Sequence, residues 1–158
     1  MALSLAAMSS AAVMAQDASP AASGAAAACA PVEPAGPLPD LTAQLGHLPK
    51  VGLVMKSLAN EFFQQMQAGA EAYAAENADL FDFEAVGMKD ERDFAAQVAA
   101  VENYITQQFD VIVIAPADSQ AMVEPIARAL EAGIKVINID VALDQQAMAD
   151  AGLDLAFF

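Results

Sequence analysis

From position 50 onward the hydrophobic residues follow two alternating rhythms. Runs at 51–55, 80–86, 111–115 and 135–139 are short, apolar and closed by polar or breaking residues, the pattern of strands. The run at 51–55 is uninterrupted, which predicts a strand covered on both faces. At 80–86, Asp82 and Glu84 alternate with Phe81, Phe83 and Ala85, which predicts a strand with one wetter face, nearer an edge. Pro116 closes the third run and Asp140 follows the fourth.

Between these runs apolar residues recur every three to four positions, the period of an amphipathic helix. A helix over 61–77 places Phe62, Phe63, Met66, Ala70 and Tyr73 near one side, with Gly69 there to let it approach the sheet closely. Phe62 and Phe63 point in different directions on such a helix, so one belongs to the core and the other is free for stacking. Asp90 is expected to cap a second helix with the stripe Phe94, Val98, Val101 and Ile105, and Tyr73 and Phe94 are assigned to the core. A third helix is capped by Asp118 or Ser119, faces Val123, Ile126, Ala127 and Leu130 inward, and stops at Gly133. A short helical piece at 144–151 precedes an apolar run at 153–158 that has the look of a fifth strand opening.

Strict alternation of strand and helix predicts an α/β fold, a doubly wound parallel sheet with right-handed crossovers. Ligands of such sheets bind beyond the carboxyl ends of the strands. The polar side chains that this topology gathers there are Lys56, Ser57 and Asn60 after the first strand, Lys89 and Asp90 after the second, Asp118 and Ser119 after the third, and Asp140 after the fourth.

Composition adds boundaries. The formal net charge of −15 in 158 residues argues against nucleic acid, since phosphate binding needs clustered Lys or Arg. Residues 1–15 are a short apolar run with the small-residue spacing of a signal-peptidase site at Val13-Met14-Ala15, so they are expected to direct export to the periplasm. They lack a basic leading segment. Residues 16–46 are rich in Ala, Ser, Gly and Pro without periodicity and are expected to be a disordered linker, leaving 47–158 as the folded part. The single cysteine, Cys29, lies in that linker behind Pro20 and Gly24 and reads as a free thiol rather than a lipid anchor. His47 reads as a surface residue. No catalytic or metal-binding constellation and no cofactor motif emerges: the turn after the first strand, residues 56–60, holds no glycine, as a dinucleotide fingerprint would require, and no Gly-x-Ser-x-Gly elbow occurs.

Two stretches, VGLVMKSLANEFFQQMQAGAEAYA and FDVIVIAPADSQAMVEPIARALEAGIKVINID, resemble in order and spacing the amino-terminal half of the periplasmic sugar-binding proteins of the ribose-binding type, which deliver sugars to ABC importers. The resemblance implies a non-enzymatic binder of a sugar or polyol that docks on membrane permease subunits and is a monomer when full length. It implies ligand contacts at Asn60, Phe62, Phe63 and Asp140, with Lys56, Ser57, Lys89 and Asp118 as weaker candidates. This chain has Glu61 where the family pattern has Pro and Val141 where it has Arg. The resemblance further implies a second domain and a closing hinge, so the 158-residue chain is expected to be an amino-terminal fragment, weak in sugar binding and marginal in folding on its own. The residues alone leave Asn60 equally a helix cap or a ligand contact and favour Asp118 as a cap, whereas a carboxylate ending a buried strand, Asp140, demands a partner. A sensor for a chemoreceptor or kinase is compatible with the same pattern. The effector core of a lac-repressor-type transcription factor shares this fold, but residues 1–46 contain no Lys or Arg for a DNA-binding head.

Overall fold

The computed structural model describes residues 39–90 and 92–158. A helical turn, α1 (Thr42–Leu45), leads into β1 (Lys50–Met55), α2 (Glu61–Glu76), β2 (Asp82–Gly87), α3 (Phe94–Thr106), β3 (Val111–Ile114), α4 (Val123–Glu131), β4 (Lys135–Asn138) and α5 (Gln145–Asp150). The strands form one sheet in the order β2-β1-β3-β4, every pair parallel. The expected export signal, most of the expected linker and Cys29 lie outside the described residues. Within the span read as linker, α1 is closed by Gly46 at φ +80°.

The topology follows from the two core clusters. Leu53, Met55, Val113 and Ala115 gather with Phe63, Met66 and Ala70 of α2 on one face. Val54, Ile112 and Ile114 pack with Val101 and Tyr104 of α3 and Ile126 and Ala129 of α4 on the other. Neighbouring residues of one strand thus belong to opposite layers, the period of two that pleating imposes. Right-handed crossovers require this split: the chain moves one way from β1 to β2 and the other way from β2 to β3 and β4. The order of strands therefore reverses between β1 and β3. As expected, β2 lies at an edge with its acidic positions exposed. The apolar run at 153–158 reaches the outer side of β4 at one point, a parallel bridge between Asn138 and Phe157.

Several local expectations are corrected. Tyr73 and Phe94 are not core residues; they are 52 % and 38 % exposed. On α2 the inward side is centred on Phe63 and Ala74, which turns Tyr73 outward. Gly69 makes no close approach, having open space where a Cβ would stand. Among the described residues the glycines under packed neighbours are Gly52 of β1, beneath the Tyr104 ring, and Gly87, against Leu58. The side chain that caps α3 is Asp93, which accepts from the Ala96 N–H at 3.2 Å, while Asp90 accepts from the Arg92 N–H in the turn before it. Asp118 caps a turn rather than α4, because α4 begins only at Val123.

Tyr104 closes the α3 layer. It is 1 % exposed, stacks on Phe109 with ring centroids 4.2 Å apart, and donates its hydroxyl to the Glu84 carbonyl at 3.3 Å. Burial first, and the nearby Glu84 charge second, push its phenol well above the ordinary tyrosine value of 10.0. A raised folded-state value means that the stabilisation is complete below pH 10.0 and is lost as the pH rises beyond it. In a Tyr73→Phe variant, which leaves Tyr104 as the sole tyrosine, phenolate absorbance is expected to appear only together with loss of the helical circular-dichroism signal. Phenolate formation while that signal is intact would contradict the burial argument.

Candidate functional site

The end of β1 opens into a turn whose backbone is tied down by its own side chains. Ser57 is buried, and its Oγ accepts from the Ala59 N–H at 3.1 Å. Asn60 caps α2: its backbone is extended and its Oδ1 accepts from the Phe62 N–H at 2.9 Å. Capping uses only the oxygen of Asn60, so the amide NH2 of this exposed residue remains available as a donor. The aromatic pair divides as its helical spacing predicts. Phe63 is 1 % exposed and belongs to the core, whereas Phe62 is 57 % exposed and meets Phe63 edge-on at 5.1 Å.

Asp140 finds its partner in Lys56. The Lys56 ammonium stands 3.0 Å from the Asp140 carboxylate, an ion pair whose side chains are 18 % and 24 % exposed. Lys56 leaves the end of β1 and Asp140 the end of β4, so their bridge passes over the end of β3, the strand between them. Beneath it, the Phe63 ring supports the ammonium, Nζ standing 5.4 Å from the ring centroid. Asp140 has φ +65°, a left-handed backbone that Asp tolerates better than most residues.

The structure thus brings Lys56, Phe63 and Asp140 into one contact, with Asn60 and Phe62 on the adjoining turn. Lys89 is exposed beyond the edge strand, and Asp118 is occupied by the N–H groups of Gln120 and Ala121 at 2.9 and 2.8 Å. Neither is joined to the Lys56–Asp140 pair by a hydrogen bond or ion pair among the described residues. Such an edge offers an exposed ring face, an amide donor, an ammonium and a carboxylate. That set suits a neutral, polyhydroxylated molecule whose C–H faces stack and whose hydroxyls both donate and accept.

Two buried carboxamides that shape this edge escaped the sequence reading. Gln97 of α3 donates to the Ala115 carbonyl at 2.9 Å and accepts from the Ala117 N–H at 2.8 Å, clamping the chain on both sides of Pro116. Asn138, at the end of β4, does the same for the loop that follows it. The available signal was a polar amide on the inward stripe of a helix, four residues before Val101, and another inside an apolar strand run. A large apolar concavity of about 370 Å³ lies away from the carboxyl edge, between Pro39, Pro49, Val51, Tyr73, Phe81 and Val111. Its lining offers little for a hydroxylated ligand to bond.

Comparison with known proteins identifies the family and the fold. Residues 51–157 match the family described as periplasmic binding protein domain. The D-ribose/D-allose-binding protein of Pseudomonas aeruginosa is 46 % identical over 121 residues, which cover 77 % of this chain and 38 % of that protein. Among solved structures, a solute-binding protein of an ABC transporter from Burkholderia multivorans superposes with a TM-score of 0.68 at 49 % identity, over 70 % of this chain and 39 % of that one. A periplasmic solute-binding protein from Actinobacillus succinogenes, with bound D-allose, gives 0.64 at 36 % identity, over 69 % and 37 %. The chain therefore spans between a third and two fifths of the length of these relatives.

Proposed function

Since the chain belongs to the periplasmic binding protein domain family, we propose that its carboxyl-edge loops form one wall of a site for an aldose of the ribose or allose kind. The observation that carries this reading is the Lys56–Asp140 pair set across the end of β3 beside Asn60 and Phe62. In this reading Asp140 accepts from two sugar hydroxyls, Lys56 holds the carboxylate and donates its remaining hydrogens, the Asn60 amide donates to a third hydroxyl, and Phe62 covers a C–H face. Phe63 serves from below, as the support of Lys56. Each charge-assisted bond contributes about 1.5–3 kcal/mol, so the two to Asp140 and one from Lys56 together give about 4.5–9 kcal/mol, a range that includes the roughly 8 kcal/mol of micromolar affinity. The protein then works without chemistry on the sugar, after export, by handing it to the permease of an ABC importer.

Isothermal calorimetry of the intact protein against D-ribose, D-allose, D-fucose and myo-inositol tests this directly. In a protein of its relatives' length, with a second wall facing this one, micromolar or tighter binding of at least one of the two aldoses named first is expected, and the 158 residues alone are expected to bind weakly. Absence of heat with every sugar, in a protein shown to be folded, would sink the assignment.

A further inference from the structure

The loop that carries Asp140 hangs from one buried side chain. Asn138 is 2 % exposed; its Nδ2 donates to the Val141 carbonyl at 2.8 Å, and its Oδ1 accepts from the Leu143 N–H at 3.0 Å. A single carboxamide thereby spans residues 139–143. Inside that span the Val141 N–H donates to the Ile139 carbonyl at 2.7 Å, a tight turn with Asp140 at its centre. The φ of +65° at Asp140 is a conformation that a residue with a Cβ holds only when its surroundings impose it. Leu143, 2 % exposed, anchors the far end of the turn in the α3 and α4 core.

We propose that Asn138 is a positioning residue for the sugar site: by holding residues 139–143 it keeps Asp140 left-handed, with its carboxylate over the end of β3 and against Lys56. This rests on the reading of Asp140 as a sugar contact. The residue type is required by the chemistry, since only a side chain with a donor and an acceptor at fixed separation can bond a carbonyl and an N–H at once. Aspartate in its place keeps the acceptor and loses the donor. Threonine offers both roles from one atom and cannot reach both partners.

The test is a double-variant cycle on the intact protein. Asn138→Asp and Asn138→Thr are each made alone and with Asp140→Asn, two variants guarding against one that fails to fold. D-allose and D-ribose affinities are measured by calorimetry, and the backbone carbon shifts of residue 140 by NMR. In the parent protein either change at 138 is expected to weaken binding tenfold or more and to move the residue 140 shifts out of the left-handed range. In the Asp140→Asn background the further loss of affinity is expected to stay below twofold. Equal losses in both backgrounds, or unchanged shifts, overturn the proposal. If Asp140→Asn alone binds like the parent, the sugar-site reading is what fails, and the shifts still decide whether Asn138 holds the turn.

Discussion

Replacing Asp140 by asparagine in the intact protein is expected to weaken aldose binding by about 30- to 150-fold while leaving the melting temperature close to that of the parent. The magnitude comes from the loss of charge assistance. A hydrogen bond to a charged group contributes about 1.5–3 kcal/mol and a neutral one about 0.5–1.5, so two hydroxyl contacts lose about 2–3 kcal/mol together. Asparagine is chosen because it preserves shape and accepts the left-handed backbone at φ +65°, which alanine would not. Stability should change little, since asparagine still offers Lys56 an acceptor and the ammonium keeps its support from the Phe63 ring. An unchanged dissociation constant, measured by calorimetry with D-allose and D-ribose, would remove Asp140 from the site.

Gly52→Ala should be the most damaging small substitution in the sheet, at about 2–3 kcal/mol of stability. Gly52 lies in the middle of β1, paired with β2 on one side and β3 on the other, so its backbone cannot retreat. A Cβ there would strike the Tyr104 ring. That ring is wedged against Phe109, and its hydroxyl is bonded to the Glu84 carbonyl, so it cannot yield either. At Gly87 the same addition meets the Leu58 side chain at its branch point, but Leu58 is a half-buried loop residue that can swing aside. Urea unfolding of the two variants should therefore rank Gly52→Ala well below Gly87→Ala. A Gly52→Ala/Tyr104→Leu protein should be more stable than the sum of its single changes predicts. Equal midpoints for Gly52→Ala and the parent would refute the packing argument.

Gly69, expected to lie close to the sheet, shows where sequence reading reached its limit. Gly69 sits on a helix whose hydrophobic spacing is loose, and its repeat alone gives no angle of rotation precise enough to tell a packed side from an open one. Phe63 and Ala74 set that angle through contact with the sheet, and Gly69 and Tyr73 fall on the outside. Asp90 and Asp93 are equally good caps by residue type, and only the path of the chain out of β2 decides that Asp93 meets the free Ala96 N–H in the first turn of α3. Asn60 was ambiguous for a different reason. The structure finds it capping α2 through its oxygen, and a cap of that kind leaves the amide nitrogen available, so capping does not preclude the proposed ligand contact.

The order of the elements, the parallel sheet, the edge position of β2 and the set of loops that meet at the carboxyl edge were determined by the sequence alone, because they depend on local periodicity and on the handedness of crossovers. That Asp140 requires a partner also follows from a carboxylate placed after an apolar strand. Which partner it finds was decided by the tertiary structure. Lys56 and Asp140 lie 84 positions apart and on strands that do not touch, and only the insertion of β3 between β1 and β4 sets the distance that a lysine side chain can bridge. The same holds for Asn138: its amide is visible in the sequence, but the turn it holds exists only once Leu143 is buried and the chain has been drawn back over the sheet.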